Sequence, residues 1–356
     1  HLSIRRQRQM CIRDRGVLST LIGRVHGGPA QVGVLSSTLF GGVSGSAVAD
    51  ASAIGSLLIP WHKRLGYPPA FSAATLAAAA TIDILIPPSI PMILFALTAN
   101  ASIAALFVAG ILPGILMCVG FMFMCWWVGK RRNFPRDTTP INWSEFRVHL
   151  LYSSPALLLP VLIVLFLRFG IATPTEVAVL STLYAAAVSV VVYRDLSLKR
   201  LNDAVVHAGL ATGVVLLVIM ASAAIGWLLT YDQMPTGVAH WIQQNVSQGW
   251  IVILIMNLLM LFIGMFIDLP AAVLLLTPVF LPLAESIGMD PVQLGIMMVV
   301  NLAVGLYTPP VGTTLFITSA LAKVKVGQTV RELGPFYFVA FLVLALVSYV
   351  PASILR

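Results

Sequence analysis

In TIDILIPPSI, residues 81–90, a carboxylate (Asp83) stands ahead of two adjacent prolines inside an otherwise apolar stretch. Both features can do chemistry. Proline has no backbone N–H and pushes the residue before it out of the helical region, so Pro87-Pro88 leaves carbonyls that lipid cannot satisfy. A charged carboxylate inside a membrane segment costs about 2.5–3.5 kcal/mol or more, which makes Asp83 a functional candidate by default. Thr81 and Ser89 add hydroxyls on either side. A second stretch, GLYTPPVGTT (305–314), repeats the arrangement with Gly305, Thr308, Pro309, Pro310, Gly312 and Thr313.

Spacing ties the two stretches together. Asp50 precedes Pro60 by ten residues and Asp268 precedes Pro278 by ten; Pro69 precedes Pro87 by eighteen and Pro291 precedes Pro309 by eighteen. A glycine lies just before the inner proline in each half (LGYPPAF at 65–71, IGMDPVQLG at 287–295). The outer connectors differ by four residues, which marks a diverged repeat. Interrupted hydrophobic segments at corresponding places in two halves point to the binding site of a secondary transporter. Arms of about 15 residues are too short to cross a bilayer that needs about 20. The pattern predicts two re-entrant helical hairpins, over about 67–100 and about 290–322, with tips near mid-membrane. Prolines that only kink packed helices are the alternative.

The elements that must hold such tips are membrane helices. Hydrophobic residues make up 59% of the 356 residues and charged residues 10%, with a mean hydropathy of +0.96. That composition excludes a soluble globular protein. Apolar runs of spanning length occupy 111–129, 151–169, 175–193, 204–230, 250–267 and 335–354, with shorter broken runs at 30–60, 70–100 and 269–322. An inverted repeat needs an odd number of crossings between the hairpins. The count is five or six, depending on whether 250–287 is one broken helix or two. The expected fold is therefore an all-α polytopic membrane protein. Its first repeat covers 16–129, scaffold spans and loops 130–249, and its second repeat 250–356.

Charge sets orientation and narrows the partners. The net charge is +8, and residues 1–15 alone hold five arginines and one aspartate. That segment is too charged for a signal peptide, and its composition changes abruptly at Gly16, so it reads as a non-native leader without function. No nucleic-acid partner is implied. The basic loops 130–147 and 193–200 fit the cytoplasm, and 230–249, which lacks Lys and Arg, fits the opposite face. Cys11, Cys118 and Cys125 form neither a metal pattern nor a disulfide framework.

Longer motifs carry a resemblance. GGVSGSAVADASAIGSLLIP (41–60), ILIPPSIPMILFAL (84–97), LFVAGILPGIL (106–116), TPTEVAVLSTLYA (173–185), GWLLT (226–230), GMFIDLPAAVLLLTPVFLPL (264–283) and DPVQLGIMMVVNLAVGLYTPPVGTTLFI (290–317) are similar to the large, DctM-like membrane subunit of the TRAP (tripartite ATP-independent periplasmic) transporters, part of the ion transporter superfamily. The similarity runs from about Val17 to the C-terminus. Members usually carry further N-terminal spans, so the resemblance implies a fragment with those spans missing. The resemblance implies an inner-membrane, sodium-driven importer of organic acids, such as dicarboxylates or sugar acids. It also implies a small four-helix membrane subunit, a periplasmic substrate-binding protein and an elevator mechanism. No cofactor beyond the coupling sodium ions is implied. Where the family commonly reads SSTIGP, this chain has AATIDI (79–84), so Asp83 departs from the pattern. By the repeat, Asp83 corresponds to Gly305 and Ala79 to Asn301.

Sodium is a hard cation that prefers oxygen ligands. The ligand candidates are Thr81, Asp83, Pro87, Pro88 and Ser89 at the first tip, and Asn301, Gly305, Thr308, Pro309, Pro310, Gly312 and Thr313 at the second. The alternative for each hydroxyl is ordinary helix-to-helix hydrogen bonding. Asp83 is read as a cation ligand or proton-coupled group, against an uncharged carboxyl that caps the broken helix. Asp50 and Asp268, at equivalent repeat positions, are either helix-start residues or ion contacts; Ser44 and Ser46 are secondary candidates. Glu176 opens a helix near Thr173 or Thr175. A stand-alone carboxylate symporter or antiporter of the same superfamily is the near alternative. The remote one is an intramembrane serine protease, because Gly42–Gly45 reads GVSG and His207 could act as base; that model leaves the Pro-Pro tips without a role.

Overall fold

The computed structural model describes residues 22–136, 143–194, 196–232, 237 and 248–351. The leader (1–15) and most of the Lys/Arg-free loop before Gly249 lie outside the described residues. Among the described residues the chain is all helical, with no strand. The helices, in order, are α1 (Gly28–Ser44), α2 (Ala47–Arg64), α3 (Pro69–Ala79), α4 (Ile90–Ala99), α5 (Ile103–Arg131), α6 (Trp143–Arg168), α7 (Pro174–Val191), α8 (Leu198–Tyr231), α9 (Gly249–Gly264), α10 (Leu269–Ser286), α11 (Pro291–Gly305), α12 (Thr313–Ala322), α13 (Val326–Glu332) and α14 (Gly334–Tyr349).

Length separates spans from arms. Four described stretches are long and apolar enough to cross a membrane: Ile103–Arg131, Pro174–Val191, Leu198–Ile225 and Leu269–Ser286. The chain is a multi-pass membrane protein. At 1.5 Å rise per residue, the 11 residues of α3 and the 10 of α4 cover about half of a hydrocarbon core of about 30 Å. Neither crosses alone. The stretch 250–287 resolves as two helices, because Met265–Asp268 separates α9 from α10.

Local chemistry sets the ends. Pro69 and Pro291 open α3 and α11 at a position where the missing N–H is harmless. Ser89 starts α4, its hydroxyl accepting from Met92 N, and Asn100 ends it in the left-handed conformation. Thr173 and Glu176 form a reciprocal capping box at the start of α7, so Thr173 is the residue that opens that helix. The first helix break begins well before its prolines. Thr81, Ile82 and Leu85 bond back to Ala78, Ala79 and Ile82 in tightened turns, and the chain resumes a helix only at Ile90.

The packing of the two halves is reciprocal. Arm α3 lies against α12, and α11 lies against α4; α2 packs on α12 and α10 packs on α4; α1 packs on α2, α3 and α5 as α9 packs on α10, α11 and α14. The shared core is built from fully buried Phe71, Ile82, Leu85, Met92 and Phe95 of the first half with Leu294, Met298 and Leu302 of the second. Deep burial of α3 and α11 on all sides explains why both are apolar all round. By contrast α8 is exposed along almost its whole length and packs on α10.

Candidate functional site

The first helix break sits against the α1–α2 junction. Gly45 turns the chain there with φ 62°, a left-handed conformation that costs glycine little. A Cβ at Gly45 would also stand 2.4 Å from the Pro88 carbonyl oxygen. The turn points two amides at Asp83: Gly45 N donates to Oδ1 (3.1 Å) and Ser46 N donates to Oδ2 (2.9 Å). The Ser44 side chain also interacts with the same carboxyl. Asp83 is fully buried, and Gly41 leaves it room, since a Cβ there would meet Asp83 Cα at 2.7 Å. The carboxylate therefore ties the first tip to the start of α2, where negative charge is favoured. Ser46 in turn accepts from Ala49 N.

Asp50 lies one turn into α2 and is also fully buried. It interacts electrostatically with Asp83, and the Ser37 hydroxyl of α1 approaches it without completing a hydrogen bond of normal geometry. Among the described residues neither Asp50 oxygen, nor Ser37 Oγ, has a hydrogen-bond partner. A buried charge without a partner is strongly unfavourable. These unsatisfied oxygens thus call for a cation or a proton.

The second break is built differently. At the position equivalent to Asp83 stands Gly305, and here backbone meets backbone: a Cβ on Gly305 would lie 2.5 Å from the Gly264 carbonyl oxygen. Val311 N donates to Met265 O (3.3 Å), fastening the second tip to the α9–α10 junction. Gly305→Ala is expected to force these backbones apart. It should lower thermal stability by about 1–3 kcal/mol, the usual cost of overpacking. A thermal-unfolding midpoint equal to that of the parent would show that the two glycines are not in contact.

Between the junctions a cleft of about 70 Å³ opens, room for several waters. Its walls are the starts of three helices: Ala47 and Val48 of α2, Ile90 and Pro91 of α4, and Leu269 and Pro270 of α10, with Asp268 exposed beside them. Asp268 precedes α10 without capping it. Helix starts present partial positive charge and free N–H groups. The cleft can thus receive an anion, while Asp268 offers oxygen to a cation.

The predicted tip residues divide among three situations. Thr81 Oγ1 donates to Ala78 O (2.6 Å), Ser89 Oγ to Ile84 O (2.5 Å) and Thr308 Oγ1 to Val304 O (2.6 Å), so these hydroxyls close their own turns. Thr313 Oγ1 is buried with no partner among the described residues; Gly312 precedes it with φ 39°. Asn301 lies away from the cleft: its amide nitrogen donates to Asn257 O (2.9 Å) and Oδ1 (2.8 Å), locking α11 to α9. Pro87-Pro88 and Pro309-Pro310 both stand at the breaks, their peptide bonds cis. Ser44 faces Asp83, whereas His207 is exposed on α8; the two groups required by a protease model belong to different surroundings.

Sequence reasoning missed Ser37, Gly41 and Gly264, and it missed Thr314, whose hydroxyl donates to Ala77 O (3.2 Å) and Leu306 O (2.9 Å) across the two halves. Ser37 lies outside every motif, and Gly41, Gly264 and Thr314 fall inside motifs (41–60, 264–283 and 290–317) in which nothing local singles them out.

Comparison with known proteins adds the remaining finding. Residues 16–353 match the family model described as tripartite ATP-independent periplasmic transporter, DctM component. The chain is 59% identical over 329 residues to the protein y4mL of Sinorhizobium fredii, covering 92% of this chain and 78% of that one. It is 36% identical over 331 residues to the C4-dicarboxylate TRAP transporter large permease protein DctM of Pseudomonas aeruginosa (93% and 77%). It is also 37% identical over 333 residues to the isethionate TRAP transporter permease protein DctMQ of Oleidesulfovibrio alaskensis (93% and 52%).

Proposed function

This chain belongs to the DctM component family of the tripartite ATP-independent periplasmic transporters, and from that premise we propose that it is the large membrane subunit of a sodium-coupled importer of organic acids. The carrying observation is the cleft in which three helix starts meet, next to the unpartnered, buried Asp50. Helix starts suit a carboxylate or sulfonate headgroup. Relatives named for C4-dicarboxylate and isethionate fit that chemistry. In this proposal Asp50 and Ser37 give oxygen to a cotransported sodium ion in the first half, and Asp268 and Thr313 do so in the second. Thr81, Pro87, Pro88, Ser89, Gly305, Thr308, Pro309, Pro310 and Gly312 shape the tips. Asp83 holds the first tip closed.

The reciprocal packing of α2 on α12 and α10 on α4 supports two re-entrant hairpins related as an inverted repeat. Movement of the paired hairpins against α6–α8 would give an elevator cycle. The partners are a small membrane subunit and a periplasmic substrate-binding protein, in the bacterial inner membrane. The DctMQ relative, of which this chain covers 52%, has length to spare for a second membrane component. The test is uptake into proteoliposomes with the partner subunits supplied, scanning organic acids with and without an inward sodium gradient. Uptake is expected only with the gradient and the binding protein. Equal uptake with choline in place of sodium overturns sodium coupling; full uptake without the binding protein identifies a stand-alone symporter.

A further inference from the structure

A second feature lies at the far end of α5, away from the cleft. This helix has 29 residues, about 43 Å at 1.5 Å per residue. It exceeds a hydrocarbon core of about 30 Å, so its last turns emerge among headgroups. Those turns carry Phe123, Met124, Trp126, Trp127, Lys130 and Arg131, and Arg132 follows them, next to the loop whose basic character fits the cytoplasm. Helices α13 and α14 meet there at an angle of 59°. The bend sets Pro335 and Phe338 opposite Phe123, Met124 and Trp127, enclosing an apolar groove of about 500 Å³.

The rim of the groove is cationic. The Arg131 guanidinium lies 5.6 Å from the centre of the Trp127 ring, itself a groove wall, and Lys130 Nζ lies 5.2 Å from the Trp126 ring. Arg132 is different, because Glu332 of α13 grips it in a fork at 2.9 and 2.7 Å. The Arg132–Glu332 pair pins α13 to α5 and holds the groove's shape. Lys130 and Arg131 are positioned by aromatic faces, which fixes a cation without neutralising it.

We propose that this groove is a binding site for an anionic phospholipid, with an acyl chain between Trp127 and Phe338 and the phosphate against Lys130 and Arg131. An apolar slot continuous with a rim of two cations that form no ion pair among the described residues matches the two ends of such a lipid. Basic pockets between membrane helices on the cytoplasmic side suit these headgroups. A zwitterionic lipid would leave the rim charge unbalanced.

Native mass spectrometry of the full chain, titrated with phosphatidylglycerol or phosphatidylcholine of identical acyl chains, tests the site. Phosphatidylglycerol is expected to bind preferentially, and Lys130→Gln/Arg131→Gln to weaken it about 10- to 30-fold, near the effect of two surface cations. The charge-matched Arg194→Gln/Lys199→Gln pair, in the other basic loop, should leave binding unchanged. Phosphatidylglycerol brominated on its acyl chain should quench fluorescence in the parent more than in Trp127→Phe. Equal binding of the two headgroups, equal loss in both charge variants, or quenching unaltered by Trp127→Phe overturns the proposal. A protein partner seated in the groove would appear as the first of these results.

Discussion

Asp50→Asn is expected to lower sodium-driven uptake about 100-fold while leaving the protein folded, because it removes about 3 kcal/mol of charge-dependent ion affinity, within the range for stripping one partner from a buried charge pair. The sign on stability separates this residue from a structural carboxylate. Asp50 is fully buried, and among the described residues neither oxygen has a hydrogen-bond partner. It also shares its surroundings with a second carboxylate, Asp83. With no cation present, a charge there only opposes folding, so the neutral and nearly isosteric Asn should melt no lower than the parent in sodium-free buffer. Sodium then stabilises the parent by linkage, by about 2.7 kcal/mol at a concentration 100 times its dissociation constant. The variant should lose most of that gain. Thermal unfolding across a sodium series, with choline held as the balancing cation, reads both effects. A variant that keeps the parent's sodium response would remove Asp50 from the ion site.

Much of the architecture was legible because it rests on one-dimensional signals. Hydropathy located the spans at 111–129, 175–193 and 204–230, which fall within α5, α7 and α8 except for two residues past the end of α7, since any segment that crosses lipid must be apolar whatever it packs against. Pro87-Pro88 and Pro309-Pro310 located the breaks, since two adjacent prolines remove two helical donors at once, whereas single prolines such as Pro60, Pro113 and Pro278 stay inside their helices. The two aspartates with matched spacing, Asp50 and Asp268, were also legible, as the starts of α2 and α10. Sequence could not distinguish their states. One is sealed in a core with Ser37, and the other is exposed to a cleft. That difference depends on which helix covers each residue.

The chemistry of the tips was less legible for the same reason. Asn301 has the donor and acceptor character of an ion ligand, and the pattern assigned it to the second tip. Its amide nitrogen joins a network with Asn257, whose own nitrogen reaches Ser348 Oγ at 3.0 Å, while its Oδ1 is buried with no partner among the described residues. Asn257 stands 44 residues away, and no spacing rule connects them. Gly305 and Gly264 show the complementary case. Each is an ordinary glycine by sequence; a Cβ on Gly305 would strike the Gly264 backbone, and one on Gly264 would meet Leu302 at 2.9 Å.

Asp83→Ala is expected to loosen the first tip and cost about 2–4 kcal/mol, because it strands one buried and one half-buried amide at about 1–3 kcal/mol for a fully buried group. Those amides are Gly45 N and Ser46 N, now bonded to the two carboxylate oxygens. Their hydrogen exchange should accelerate by the same free energy, roughly 30-fold or more. Asp83→Asn keeps one acceptor oxygen and turns an NH₂ toward the other amide, so it should fall between parent and Ala. Uptake should drop in both variants, since a tip no longer tied to α2 leaves the cleft wall at Ile90 unfixed. Uptake alone cannot separate a tie from an ion ligand; the sodium dependence can. A ligand at position 83 would change the sodium concentration for half-maximal uptake as Asp50→Asn does. A tie leaves that concentration near the parent value while the amides of Gly45 and Ser46 lose protection. With both oxygens already engaged by backbone N–H groups, the geometry favours the tie over the ligand. A steep shift in sodium dependence with unchanged exchange at those two amides would reverse that assignment.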